Sequence, residues 1–196
     1  DDFISFADVA PTLLEVSGTK VPADMTGKSF ANLLMTQKSG RLASADRPYI
    51  VFGRERHTPA QEKPNTGGYP SRALRTRTFL YIRNYQPELW PAGTGDQSKT
   101  NKKGQWYADC DAGPSKDYII DNREKDAEHR LSFQLCFAKR PAEELYDLRK
   151  DPEQLNNLAK DPEYHQVLKS LSAQMHQRLT ELKDPRAKDP NYQGFN

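Results

Sequence analysis

Four consecutive residues, Arg54-Glu55-Arg56-His57, bring two guanidiniums, a carboxylate and an imidazole to the exit of an apolar run, Tyr49-Ile50-Val51-Phe52-Gly53. Arginine presents a planar fork of donors that fits carboxylate or sulfate oxygens bidentately. Glu55 could accept hydrogen bonds from sugar hydroxyls, and charged groups at the end of an apolar strand are where binding residues tend to sit. Composition alone favours the plainer reading: a solvated run in which Glu55 pairs with its arginine neighbours, contributing little.

Other chemistry is sparse. Trp90, Trp106 and Tyr107, with Tyr85 and Lys102-Lys103, could stack on sugar rings and attract sulfated polymers; packing within their own loop is the simpler account. His129, His165 and His176 fall in expected helices with no ligand partner three or four residues away. Cys110 and Cys136, the two cysteines of the chain, are open between a disulfide and a pair of buried thiols, and form no zinc pattern. No Ser-His-Asp set, phosphate-cradling glycine loop or glycosidase carboxylate pair is visible.

The elements that must position these groups belong to a polar chain. Its 196 residues are 35% hydrophobic and 29% charged, with a mean hydropathy of −0.92, so the expectation is a thin core or a piece that packs on something else. The formal charge of +2 gives no field for nucleic acid or an anionic membrane. No apolar run approaches the ~20 residues of a membrane span. Asp1-Asp2-Phe3-Ile4 carries neither an initiator Met nor a signal core, and a fragment is the expectation.

Phe6, Val9, Leu13 and Val16 have the spacing of an amphipathic helix, with Asp8 as the expected N-cap, Pro11 near the start and Gly18 as the stop. A loop and a short helix from Ser29 to Leu34 follow, then a polar linker from Thr36 to Asp46. Strands are expected at Arg47–Gly53, Ser71–Thr76 and Phe79–Tyr85, the last two joined as a hairpin. Gln86 to Gly113 reads as an ordered aromatic loop, Pro114–Asn122 and Glu128–Ala138 as helices. Leu145-Tyr146-Asp147-Leu148 reads as a strand, ended by the turn at Asp151-Pro152. Pro162 to Leu182 has the longest helical stripe, with Asp161 as N-cap and Asp184-Pro185 as its end; the tail beyond is expected to be extended.

Two segments carry a family resemblance. Glu144-Leu145-Tyr146-Asp147-Leu148, with Asp151-Pro152-Glu153, Asn157-Leu158 and Ala159, resembles a signature near the C-terminus of sulfatases. Ser5, Asp8, Pro11-Thr12-Leu13-Leu14, Gly18, Pro22, Met25, Gly27, Ser29 and Leu33-Leu34 resemble the segment that follows the catalytic half of that family. The stretch through Phe52-Gly53, His57, Tyr69-Pro70 and Arg72 is similar to the heparan N-sulfatase (sulfamidase) branch.

The resemblance implies an α+β arrangement. Residues 1–40 would be terminal helices of a large α/β sulfatase domain. Residues 41–196 would be a C-terminal subdomain with a four-stranded antiparallel sheet packed against a long helix. The implied reaction is hydrolysis of sulfate esters or sulfamates of a sulfated carbohydrate by a formylglycine nucleophile with Ca2+. The formylglycine and the calcium site would lie in an upstream half, itself a partner of this chain, so the chain alone is expected to be inactive. The family also implies a periplasmic, secreted or lysosomal location. Arg54, Glu55, Arg56, His57 and Arg72 become candidate substrate contacts. Gly68-Tyr69-Pro70-Ser71-Arg72 mimics the family's C-x-P-S-R nucleophile motif, but glycine has no side chain to oxidise, and the motif belongs far upstream. A non-catalytic carbohydrate-binding domain and a phosphoesterase of the same superfamily are the alternatives.

Overall fold

In a computed structural model, described over residues 2–38, 47–55, 57–101, 104–192 and 194, a meander of four antiparallel strands forms the centre. They are β1 (Tyr49–Arg54), β2 (Ser71–Thr76), β3 (Phe79–Asn84) and β4 (Glu143–Asp147), in the order β1-β2-β3-β4. The β2–β3 turn closes on one side chain: Thr76 Oγ1 accepts from the amides of Thr78 and Phe79 at 3.2 and 2.9 Å. This fixes the register, which places Val51, Leu74, Tyr81 and Leu145 in one row across the sheet.

That row is the core face. With α1 (Val9–Val16), α2 (Ala31–Leu34), α3 (Pro114–Asp121), α4 (Ala127–Phe137), α5 (His165–Glu181) and α6 (Pro185–Lys188) taken in chain order, it is α5 that covers it. Leu171, Met175 and Leu179, spaced four apart, pack on Leu74, Tyr81 and Leu145. Each such burial stabilises by roughly 1.5–3 kcal/mol. The helix starts as its sequence dictates: Asp161 accepts from the Glu163 amide at 2.9 Å, and Pro162 opens a 3-10 turn into α5.

The opposite face is small and has a polar centre. Ala73, Leu80 and Tyr146 are buried there, and Glu144 accepts from Asn84 at 2.7 Å, from the Tyr146 hydroxyl at 2.6 Å and from Arg140. Burial alone would raise the Glu144 carboxyl, but these donors outweigh it and hold the group below its ordinary 4.5.

The segment after β4 is a backbone staple. Asn157 Oδ1 accepts from the Leu145 amide at 2.9 Å, and the Leu158 amide donates back to the Leu145 carbonyl at 2.8 Å. Asp151 caps the intervening turn through the Leu155 and Asn156 amides, so the outer edge of β4 is occupied without a fifth strand.

Two expectations are corrected here. Asp8 occupies the N-cap position of α1 as expected, but its side chain makes no capping bond to that helix; Ser5 caps the preceding 3-10 turn by accepting from Ala7 N. Asp8 instead ties that turn to the Lys28 amide at 2.7 Å and to the Arg47 guanidinium. Thr12 adds a second tie, accepting from the Phe30 amide at 3.0 Å. The chain passes so close that a Cβ at Gly27 would collide with the Ala7 carbonyl. These ties turn Pro11 and Thr12 inward, so the expected apolar stripe faces out: Phe6 is 96%, Leu13 64% and Val16 60% exposed. The tail is not extended either, because Pro185–Lys188 is helical, with Asp184 accepting from the Arg186 amide at 2.9 Å. Most of the expected linker, residues 39–46, lies outside the described residues.

Candidate functional site

The exit of β1 sends adjacent side chains to opposite sides, as the two-residue alternation of a strand requires. Arg54 turns towards the aromatic loop, where its guanidinium lies 5.6 Å from the centre of the Tyr69 ring. It donates to the Pro91 carbonyl and stands 3.5 Å from an Asp109 carboxylate oxygen. His57 Nδ1 reaches the same carboxylate at 3.2 Å. Asp109 is held from below by the Thr58 amide at 2.8 Å and the Thr58 hydroxyl at 3.1 Å. Asp109 is nearly buried, whereas the side chains of Arg54 and His57 are 49% and 69% exposed. A fixed carboxylate therefore orients two nitrogen-rich groups whose outer faces meet solvent. Such a pair can bind an oxyanion.

Glu55 goes the other way. Its carboxylate takes both donors of Arg186 at 2.8 Å each, and Arg72 Nη2 at 2.7 Å. Arg72 also donates through Nε to Asp184 at 2.7 Å and through Nη1 to the Arg54 carbonyl at 3.2 Å. Burial alone would lower the Arg72 guanidinium, but Asp184 and Glu55 outweigh it and raise it further. Arg186 closes the set by lying over the Tyr85 ring, 5.4 Å from its centre. Glu55, Arg72, Asp184 and Arg186 thus form an internal clamp that joins the end of β1, β2 and the end of α5.

Of the five expected contacts, the structure brings Arg54 and His57 together on Asp109 and Glu55 and Arg72 together in the clamp. Arg56 lies outside the described residues, as do Lys102 and Lys103. Asp109 escaped sequence reasoning because it sits far from His57 in an irregular loop without a motif. Tyr69-Pro70 is buried and leads into β2, so the motif-like Gly68–Arg72 run is the start of a strand. Cys110 and Cys136 are free thiols.

No family model matches the sequence. Two curated proteins from Formosa agariphila, both described as ulvan-active sulfatases, are 30% identical over 175 residues and 29% identical over 184 residues. They cover 89% and 92% of this chain. The chain is similar to the C-terminal part of sulfatases. It spans only 28% and 26% of the length of these sulfatases. Solved structures agree on the fold. A protein in complex with its substrate D-glucosamine-2-N,6-O-disulfate superposes with a TM-score of 0.52 at 21% identity, over 93% of this chain and 24% of that one. A protein of glycosaminoglycan metabolism from Bacteroides thetaiotaomicron gives 0.50 at 19% identity, over 93% of this chain and 28% of that one. The four-stranded antiparallel sheet with its covering helix is an α+β arrangement shared with these solved structures.

Among the described residues, no three His, Cys, Asp or Glu side chains gather as a metal site, and neither cysteine stands in a C-x-P-S-R run. The described residues do not fit a calcium ion or a formylglycine. No described helix is long and apolar enough to cross a membrane.

Proposed function

We propose that this chain is the C-terminal part of a sulfatase that hydrolyses sulfate esters or sulfamates of sulfated glycans, with N-sulfated glucosamine as the preferred unit. The carrying observation is the similarity of about nine-tenths of the chain to two sulfatases. The preference for N-sulfated glucosamine rests on the resemblance of the stretch from Phe52 to Arg72 to the sulfamidase branch. In this reading the nucleophile and the metal lie in a preceding domain. The outward apolar face of Phe6, Leu13 and Val16 is where residues 1–40 join it, and such a protein would work in a periplasmic, secreted or lysosomal compartment.

Arg54 and His57 then contribute a wall that grips the anionic glycan, with Asp109 as the group that positions both. Glu55 and Arg72 support that wall from behind through the clamp. The test is a panel of N-sulfated against O-sulfated glucosamines with the intact enzyme. The expected result is preference for the N-sulfated compound and a roughly tenfold loss of kcat/KM in His57→Ala, carried mainly by KM, with unchanged thermal unfolding. Preference for O-sulfate would overturn the assigned unit, and an unaltered KM in both His57→Ala and Arg54→Ala would remove this wall from the substrate path. The isolated 196-residue chain is expected to show no turnover; any sulfatase activity there would contradict the placement of the nucleophile.

A further inference from the structure

Beside this wall lies a cavity of about 540 Å3 whose chemistry is different. Trp90 and Trp106 line it together with Glu62, Asp96 and Lys99. Its geometry is set by Tyr107, which holds a positive φ of 46° and packs its ring against Trp90, Trp106, Phe133 and Phe137 at centre distances of 5.0–6.2 Å. The loop is pinned to it by the Tyr107 amide, which donates to the Thr94 carbonyl at 2.8 Å.

Tyr107 is 6% exposed, yet its hydroxyl makes no hydrogen bond among the described residues. That oxygen lies against Gly95 in the cavity wall, close enough that a Cβ at Gly95 would collide with it. A hydroxyl at a cavity surface with no partner among the described residues can donate to a ligand atom placed there.

The polar rim specifies what kind. The Thr94 hydroxyl donates to Glu62 at 3.2 Å, and Lys99 stands 3.3 Å from Asp96 and 3.9 Å from Glu62. Both carboxylates are 40% exposed, so each keeps acceptor capacity towards the cavity. Among the described residues, two carboxylates stand against one ammonium in this rim, an arrangement that favours hydroxyl or amide donors. Trp90 has one ring face covered by the Lys139 ammonium, 4.9 Å from its centre. Among the described residues, Trp106 has Tyr107 alone as its aromatic neighbour and no cation above it. Apolar ring faces beside acceptors match the alternating C–H faces and hydroxyl edges of a pyranose.

We infer that this cavity is a subsite for an unsulfated sugar ring, stacked on Trp106 with its hydroxyls donated to Asp96 and Glu62 and one of its oxygens accepting from the Tyr107 hydroxyl. It rests on the glycan reading proposed above. Trp90 directly precedes Pro91, whose carbonyl accepts from Arg54, so a glycan gripped at Arg54 and His57 has its next ring beside this cavity. The two patches then read different features of one chain, charge at the first and its absence at the second.

Trp90 and Trp106 are the chain's two tryptophans, so intrinsic fluorescence of the 196-residue protein reports on this cavity directly. The probes are unsulfated chitotetraose and, separately, glucosamine-2-N,6-O-disulfate. Chitotetraose is expected to shift the emission with a saturable isotherm, weakened at least about tenfold by Trp106→Ala and several-fold by Asp96→Asn. Asp96→Asn leaves the aromatic packing intact, and so decides the matter if Trp106→Ala unfolds. An absent response to chitotetraose up to low millimolar concentration, or equal affinity in the Asp96→Asn and parent proteins, would overturn the inference. Binding of the disulfate with loss in Arg54→Ala, but none of chitotetraose, would sink this subsite alone. The reverse pattern would sink the sulfate-binding wall and leave the subsite.

Discussion

Arg54 and Glu55 are neighbours in the chain, yet one meets solvent and the other closes an internal clamp. The side chains of Arg72 and Arg186 in the clamp are 8% and 4% exposed, and every charge there faces an opposite one. At the wall, a single carboxylate, Asp109, serves two half-open groups. Ion pairs taken out of water are costly to break, because the remaining charge is left without compensation. Exposed pairs are nearly neutral to stability and free to change partners. The contrast separates scaffold from recognition within four residues.

The comparison breaks most sharply at Arg72. Arg72→Ala strands Asp184 and leaves Glu55 with Arg186 alone, and is expected to cost ~3–5 kcal/mol in urea unfolding; a loss below about 1 kcal/mol would show that the clamp is not structural. Leu179→Ala, in the core beneath the clamp, is expected to cost ~2–5 kcal/mol through the cavity it leaves, read from the same transitions. A smaller effect is expected from acid. Glu144 is held below its ordinary 4.5 by Arg140, Tyr146 and Asn84 against the opposing pull of burial. Its contribution is therefore fully present above that value and is lost as pH falls through the depressed folded value. Stability measured from neutral pH downward should fall below 4.5, and Glu144→Gln should flatten that part of the curve. The smallest change belongs to the wall: His57→Ala should move stability by less than ~0.5 kcal/mol. A larger shift would erase the distinction between wall and clamp.

Much of the sheet was legible. The aromatic and β-branched runs Tyr49–Phe52 and Phe79–Ile82, the turn at Thr76-Arg77-Thr78 and the stripe from Val167 to Leu179 are each local signals, and the observed elements coincide with them. Pairing all four strands needed the family resemblance, because β4 joins β3 across the long loop and two helices. The direction of the α1 stripe was not legible, since periodicity shows that a face is apolar and not what covers it. The partners of Glu55 were hidden for a related reason. Arg186 reads as part of a polar tail, and only the turn at Asp184-Pro185 folds it back 131 positions along the chain to meet Glu55. Asp109 depends likewise on the path of an irregular loop.

The Asn157 staple on β4 has a consequence for assembly. Strand-by-strand growth into a fibre needs a free edge at both sides of each subunit. Here one side is already terminated by the protein's own side chain and the Leu158 amide, while β1, with no strand beyond it among the described residues, is the side left to pair. Two copies could meet through β1, but the pair would expose only stapled ends. The sequence signature around Asn157 thus acts as a chain terminator against polymerisation.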